Sequence, residues 1–192
     1  MGRPREFDEA EALVAAMDVF WRRGYTSAGM QELCGAMGLN PGSLYAAFGS
    51  KQDLFIAAVR RYLDEVIEEG IGVIAAAPSG LEGIRTYFDY IVQGIETGRR
   101  RQGCLGTNSF MEVGARDAAV REMMTDHFGL LESAFRRALD RDGVADAAAQ
   151  ARYLVCVAQG LNVLARTAPD RAALDAIVAA ALTPLLARER AA

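Results

Sequence analysis

Apolar residues recur at intervals of three and four along almost the whole chain, and the strict alternation of a half-buried strand is absent. Leu13, Ala16, Met17, Phe20 and Trp21 form one stripe, which predicts a first helix ending at Gly24. Met30, Leu33, Cys34 and Met37 form a second, and Leu44, Tyr45 and Phe48 a third. From Lys51 the pattern runs through Leu54, Phe55, Ala58, Tyr62 and Val66 to about Ala76. Pro78-Ser79-Gly80 breaks it and marks the joint between two half-independent units. Ile84, Tyr87, Phe88, Ile91 and Ile95 then predict a helix over 81–97, followed by a glycine-flanked basic connection, 98–106. A short helix near 107–113 leads to a long one over about 117–140, ended by Gly143. Asp146 reads as the cap of a helix reaching about Ala168, and Pro169 restarts a last helix that ends near Arg188. The expectation is an all-α chain of about nine helices.

The stretch from Thr26 to Lys51 has finer grammar. Gly38 sits where the backbone must leave a helix, because glycine accepts the left-handed conformation without a Cβ clash. Leu39 can plug the turn. Asn40 followed by Pro41 is a helix start, with Asn as N-cap and Pro where no amide donor is needed. Ser50 caps the next helix. Two short helices around a tight turn make a helix-turn-helix, the device that carries one helix into the major groove of DNA.

Beyond that grammar, Tyr25-Thr26, Met37-Gly38-Leu39, Ser43-Leu44-Tyr45, Phe48 and Ser50-Lys51 with Leu54 resemble the DNA-binding domain of TetR/AcrR-family bacterial regulators. Residues 2–25 are similar to that family's basic arm and first helix. The resemblance is close over about residues 2–60. It implies a DNA-binding unit, 1–60, carried by a helical ligand-binding and dimerisation unit, 61–192.

Composition bounds the rest. At 192 residues and 52% hydrophobic, the chain can bury a sizeable core. Residues 1–61 hold seven cationic and seven acidic side chains, so the whole net charge of −4 falls on residues 62–192. A pI near 5.1 is not that of a wholesale nucleic-acid binder, but cations can be concentrated locally. The charge-free stretch 176–187 is shorter than the roughly 20 residues that span a bilayer. Gly2-Arg3-Pro4-Arg5 runs into acidic residues rather than an apolar segment, so no signal peptide is read, and the expectation is a cytoplasmic protein without membrane contact. Cys34, Cys104 and Cys156 are odd in number and widely spaced, which fits neither a disulfide framework nor a zinc site. No nucleophile–base pair, metal cluster or phosphate loop is found, so neither an enzyme nor a cofactor is expected.

On the third helix, Asn40, Pro41, Gly42, Ser43, Tyr45, Ala46 and Ala47 are the candidate DNA face. Small residues let a helix sit deep in the groove but carry no bidentate fork. Base reading would then rest on contact with thymine methyls, with Ser43 and Gln31 helping. The resemblance implies that Tyr45 and Lys51 grip phosphates, Lys51 with the amides of its helix start. The competing readings are a core aromatic and an exposed charge. Arg3 and Arg5 resemble a basic arm for the minor groove or backbone, or form a tail without contacts.

Gly70-Ile71-Gly72-Val73-Ile74-Ala75 matches a dinucleotide-binding pattern but has no strand before it, and reads better as a helix end. For a small-molecule site the candidates are Phe88, Ile91, Cys104, Asn108, Met111, Glu112, Met124 and His127, a few polar groups among apolar ones. The same apolar residues can simply be core. His127 lacks the partners a metal site needs. Cys104 follows Arg99, Arg100 and Arg101, which could favour a reactive thiolate; as a plain small hydrophobe it would start a helix. Gly103-Cys104-Leu105 also looks like a branch of TetR-like regulators in which some members sense electrophiles or oxidants through such a cysteine.

The expected function is a homodimeric repressor that binds a palindromic double-stranded operator and is released by a small-molecule inducer. The last two helices, rich in Ala and Leu, would form the dimer. A Cys104-based sensor and an activator are the alternatives.

Overall fold

The computed structural model describes residues 7–189. Among them are nine α-helices and no strand. The helices are α1 (Glu9–Ser27), α2 (Met30–Met37), α3 (Pro41–Phe48), α4 (Lys51–Ala76), α5 (Gly80–Glu96), α6 (Leu105–Val113), α7 (Ala118–Arg141), α8 (Ala147–Leu164) and α9 (Arg171–Glu189).

Helix starts follow local chemistry. The Asp8 carboxylate accepts from the N–H groups of Ala10 and Glu11 ahead of α1. Ser50 and Asp53 bond reciprocally at the start of α4, a capping box. Asp117 accepts from Val120 N–H before α7. Asp146 departs from expectation: it precedes α8 at φ 57°, and its side chain makes no cap bond. Helix α8 also stops at Leu164 rather than near Ala168. There the chain tightens into a 3-10 turn, Ala165–Thr167, and Ala168 takes a left-handed φ of 50°.

Two apolar clusters form the core. The first joins Phe20, Leu33, Leu44, Leu54 and Phe55 to Leu105 and Val113 of α6 and to Val120 and Met124 of α7. The second joins Ile84, Phe88 and Ile91 of α5 to Phe135 of α7, Leu154 and Leu161 of α8, and Leu174 of α9. Each fully buried Leu or Phe contributes about 1.5–3 kcal/mol. Edge-to-face pairs stiffen both clusters, Phe20 on Phe55 at 5.0 Å and Tyr87 on Phe135 at 5.1 Å.

Helices α4 and α7 serve both clusters. Phe55 and Leu63 of α4 lie in the first and Ile74 in the second. Val120 and Met124 of α7 lie in the first, Leu131 and Leu139 in the second. The N-terminal core is therefore finished by α6 and the first half of α7. No helix of the described residues is long and apolar enough to cross a membrane.

Candidate nucleic-acid interface and adjoining cavity

Gly38 closes α2 at φ 64° and ψ 25°, and the Leu39 N–H returns to the Cys34 carbonyl at 3.0 Å. Asn40 then accepts from the Ser43 N–H at 2.9 Å, with Pro41 in the first turn of α3. This is the turn chemistry read from the sequence. Leu44 is fully buried and anchors α3. Away from that anchor, Asn40, Pro41, Gly42, Tyr45 and Ala46 are exposed, as is Gln31 on α2; Ser43 and Ala47 are half-buried. Tyr45 is 49% exposed, so it is a surface aromatic and not part of the core.

Lys51 stands at the amino end of α4, where unpaired amides and the helix dipole favour an anion. Its Nζ lies 4.8 Å from the Tyr25 ring centroid, a cation–π contact that holds the ammonium in place. Arg3 and Arg5 lie outside the described residues.

Helix α1 breaks at Gly24, where φ is 77° and ψ 173°. The two N–H groups just beyond the break, of Tyr25 and Thr26, donate to the Glu112 carboxylate at 2.9 and 2.8 Å. Burial alone would raise the Glu112 pKa. Hydrogen bonds from Thr26 and Tyr25, with the charge of Lys51, outweigh it and hold the carboxyl below its ordinary value. One carboxylate on α6 thereby clamps the helix-turn-helix unit to the rest of the protein.

Beside this clamp lies a cavity of about 740 Å³, within the usual range for small-molecule sites. Phe20, Trp21, Leu105, Phe110, Phe128 and Val163 give it apolar walls. Thr107, Asn108, Ser109 and Gln159 add neutral polar groups, and Arg22, Arg23, Arg166 and Glu112 add charge. Its walls come from α1, α6, α7, α8 and the turn after α8.

Of the expected ligand positions, Asn108, Met111 and Glu112 line this cavity. Phe88, Ile91 and Met124 do not. They are at most 1% exposed, and the Phe88 ring lies parallel to that of Phe135 at 6.0 Å. A helical apolar stripe has the same appearance whether it lines a cavity or fills a core.

His127 is also buried. It faces a smaller cleft of about 200 Å³ between α4 and α7. Its Nδ1 has no hydrogen-bond partner among the described residues. Burial, helped by the Arg100 charge, lowers its pKa from 6.5 to about 4. No group of three or more His, Cys, Asp or Glu among the described residues is arranged to hold a metal ion.

Cys104 is 2% exposed and caps α6, its Sγ accepting from the Thr107 N–H at 3.5 Å. Of the three arginines before it, only Arg100 turns inward; Arg99 and Arg101 are exposed. Arg100 lies 5.0 Å from the Tyr90 ring centroid and 3.4 Å from Asn162 Oδ1, and its charge acts on Tyr62, Tyr90 and Cys104. Cys34 is buried, whereas Cys156 is exposed. Trp21, Ser109, Gln159 and Arg166 went unread as cavity residues, because nothing local in sequence brings α1, α6 and α8 around one cavity.

Residues 12–58 match the bacterial regulatory proteins of the tetR family, and residues 80–180 match the LmrA/YxaF-like C-terminal domain of transcriptional regulators. The uncharacterized HTH-type transcriptional regulator YezE of Bacillus subtilis (strain 168) is 32% identical over 178 residues, 88% of this chain and 92% of YezE. The HTH-type transcriptional repressor ComR of Escherichia coli (strain K12) is 26% identical, over 96% of this chain and 90% of ComR. A cysteine-substituted form of the TetR family regulator CifR, solved with 26-bp double-strand operator DNA, superposes with a TM-score of 0.84 at 35% identity, over 94% of this chain and 98% of that one. With the exposed face of α3 presented by the helix-turn-helix of α2 and α3, these matches lead to one conclusion: the chain belongs to the TetR family of bacterial transcriptional regulators, DNA-binding proteins rather than enzymes.

Proposed function

We propose that the protein is a homodimeric repressor that holds a palindromic operator and lets it go when a small molecule fills the 740 Å³ cavity. The observation that carries this reading is a shared wall. The cavity is lined at once by α1 of the DNA-binding unit and by α6 and α8 of the rest, next to the Glu112 clamp on Tyr25 and Thr26. A ligand wedged between α1 and α6 would strain that clamp and tilt the helix-turn-helix. Two recognition helices must stand about 34–36 Å apart to enter successive major grooves, so a small tilt in each subunit costs affinity. The coupling is thermodynamic: the ligand must prefer the tilted state and DNA the other.

Dimerisation is supported by α8. Tyr153 and Leu164 are 48% and 39% exposed, at a spacing of eleven residues that puts both on one face of the helix. Exposed Ala172, Ala173, Ala176, Ala179 and Ala180 give α9 a smooth face, which suits close packing against a second copy. Repression is supported by ComR and by the E. coli repressor BdcR, 28% identical over 82% of BdcR. In this reading Tyr45 and Lys51 grip phosphates while Gly42, Ser43 and Ala46 meet bases. The test is a gel shift on DNA from upstream of the neighbouring gene, with sedimentation of the free protein. Failure to shift any such fragment, or a monomer that binds tightly, overturns the reading.

A second reading is favoured by Arg100. This guanidinium is 7% exposed, acts electrostatically on Cys104, and has no carboxylate in ion-pair distance among the described residues. In this reading Cys104, beside that guanidinium, is the reacting thiol of an electrophile or oxidant sensor.

A further inference from the structure

We infer that the cavity between α1, α6 and α8 takes an amphipathic anion: an apolar body carrying a carboxylate or similar acidic head, met by Arg166. The inference rests on the ligand-released reading above and names the class of ligand.

The apolar body follows from the walls, where Phe20, Trp21, Leu105, Phe110 and Phe128 supply rings and aliphatic surface. The acidic head follows from counting which polar groups remain free. Arg22 is paired with Asp18 at 3.0 Å and Arg23 with Glu32 at 3.1 Å. Both Glu112 oxygens already accept from the N–H groups of Tyr25 and Thr26, which fix the carboxylate in place. Arg166, exposed on the turn after α8, lines the cavity and makes no ion pair among the described residues.

Two buried groups add to it. The Trp21 Nε1, which can only donate, is buried with no partner among the described residues, and so is the Oγ of Ser109, a residue 2% exposed. Both residues line the cavity. A buried donor left unsatisfied costs about 1–3 kcal/mol, which a ligand acceptor would relieve. Gln159 Oε1 accepts from the Thr107 hydroxyl, and its amide N–H groups make no hydrogen bond among the described residues. Against these donors stand two side-chain acceptors, the Ser109 hydroxyl, which can also accept, and Asn108 Oδ1, whose Nδ2 is spent on the Gln102 carbonyl. The one carboxylate of the lining is engaged by two amides, whereas Arg166 makes no ion pair among the described residues and several donors have no partner among them.

Trp21 is the sole tryptophan and so reports directly on occupancy. The full-length protein is titrated with octanoate, octan-1-ol and octylamine, which share a chain and differ in head group, while Trp21 emission is followed. Octanoate should bind about tenfold more tightly than octan-1-ol, with octylamine weakest. Arg166→Glu, on an exposed position and checked for fold by circular dichroism, should abolish the octanoate preference and improve octylamine. Equal affinities in the wild type, no response to any probe at millimolar concentration, or an unchanged preference in Arg166→Glu would each overturn the inference. Operator binding is measured in parallel. Octanoate binding without operator release supports the anion site and removes the release reading instead.

Discussion

Glu112 occupies the space that a side chain at position 24 would fill. A Cβ placed on Gly24 would stand 2.6 Å from Glu112 Oε2, at a backbone φ of 77° that L side chains rarely adopt. The break in α1 and the carboxylate on α6 are thus two halves of one fitting. Gly24→Ala and Glu112→Ala should both loosen the DNA-binding unit, each lowering stability by about 1–2 kcal/mol. Their effects should be strongly non-additive, because removing Glu112 also removes the clash. Chemical denaturation of the two single variants and the double variant checks this; simple additivity would separate Gly24 from Glu112.

Lys51→Ala and Tyr45→Phe should weaken operator binding with little change in melting temperature. For Lys51→Ala the log–log salt slope should flatten by about 0.9 per phosphate contact, so about twice that in a symmetric dimer. Fluorescence anisotropy across a salt series measures it. An unchanged slope would place Lys51 outside the interface and leave it only its contact with Tyr25.

Tyr153→Arg combined with Leu164→Arg should give a folded monomer, because both residues are already exposed in the single chain and nothing internal is lost. Sedimentation should show half the mass, and operator affinity should drop by two orders of magnitude or more. A dimer that survives both charges would move the interface away from this face of α8.

His127 should make stability depend on pH within a defined window. Above pH 6.5 the imidazole is neutral in both folded and unfolded chains. Between pH 6.5 and about 4 the unfolded chain takes up a proton that the fold refuses, so stability falls as pH falls. From pH 7.5 to 5.5 this amounts to about 1 kcal/mol. Urea unfolding at those two pH values should show that loss in the wild type and a smaller one in His127→Leu. Equal losses would mean that His127 titrates normally in the fold.

If Cys104 is a sensor, Cys104→Ser should hold the operator in the presence of a mild oxidant that releases the wild type, while Cys34→Ser and Cys156→Ser still respond. Wild-type protein that keeps its operator with Cys104 fully modified, as seen by mass spectrometry, would eliminate the sensor reading.

What could be read from the sequence was local. Gly38, Asn40-Pro41 and Ser50 act within three residues of themselves, so the turn and both helix starts were legible. The exposed face of α3 was legible only in part, because Tyr45 falls on the same apolar stripe as Leu44 and Phe48 and yet is exposed. Contacts between side chains and distant backbone were not legible. Glu112 reaches amides 86 and 87 positions away, and Asp142 accepts from the N–H groups of Gly80 and Leu81 in the same manner. A backbone amide carries no residue identity, so such a partner leaves no trace in the pattern. Phe88, Ile91 and Met124 failed as cavity residues for a related reason: periodicity tells which face is buried and says nothing of whether the space beside it is full.

The sharing of α4 and α7 between two cores bears on how such a regulator can be taken apart. A fragment cut after residue 60 would leave behind Leu105, Val113, Val120 and Met124, which close the first core from outside it. The DNA-reading head is therefore not a cassette. A chimera that grafts a new operator specificity onto this scaffold would have to exchange α2 and α3 alone, or else carry α6 across with the head.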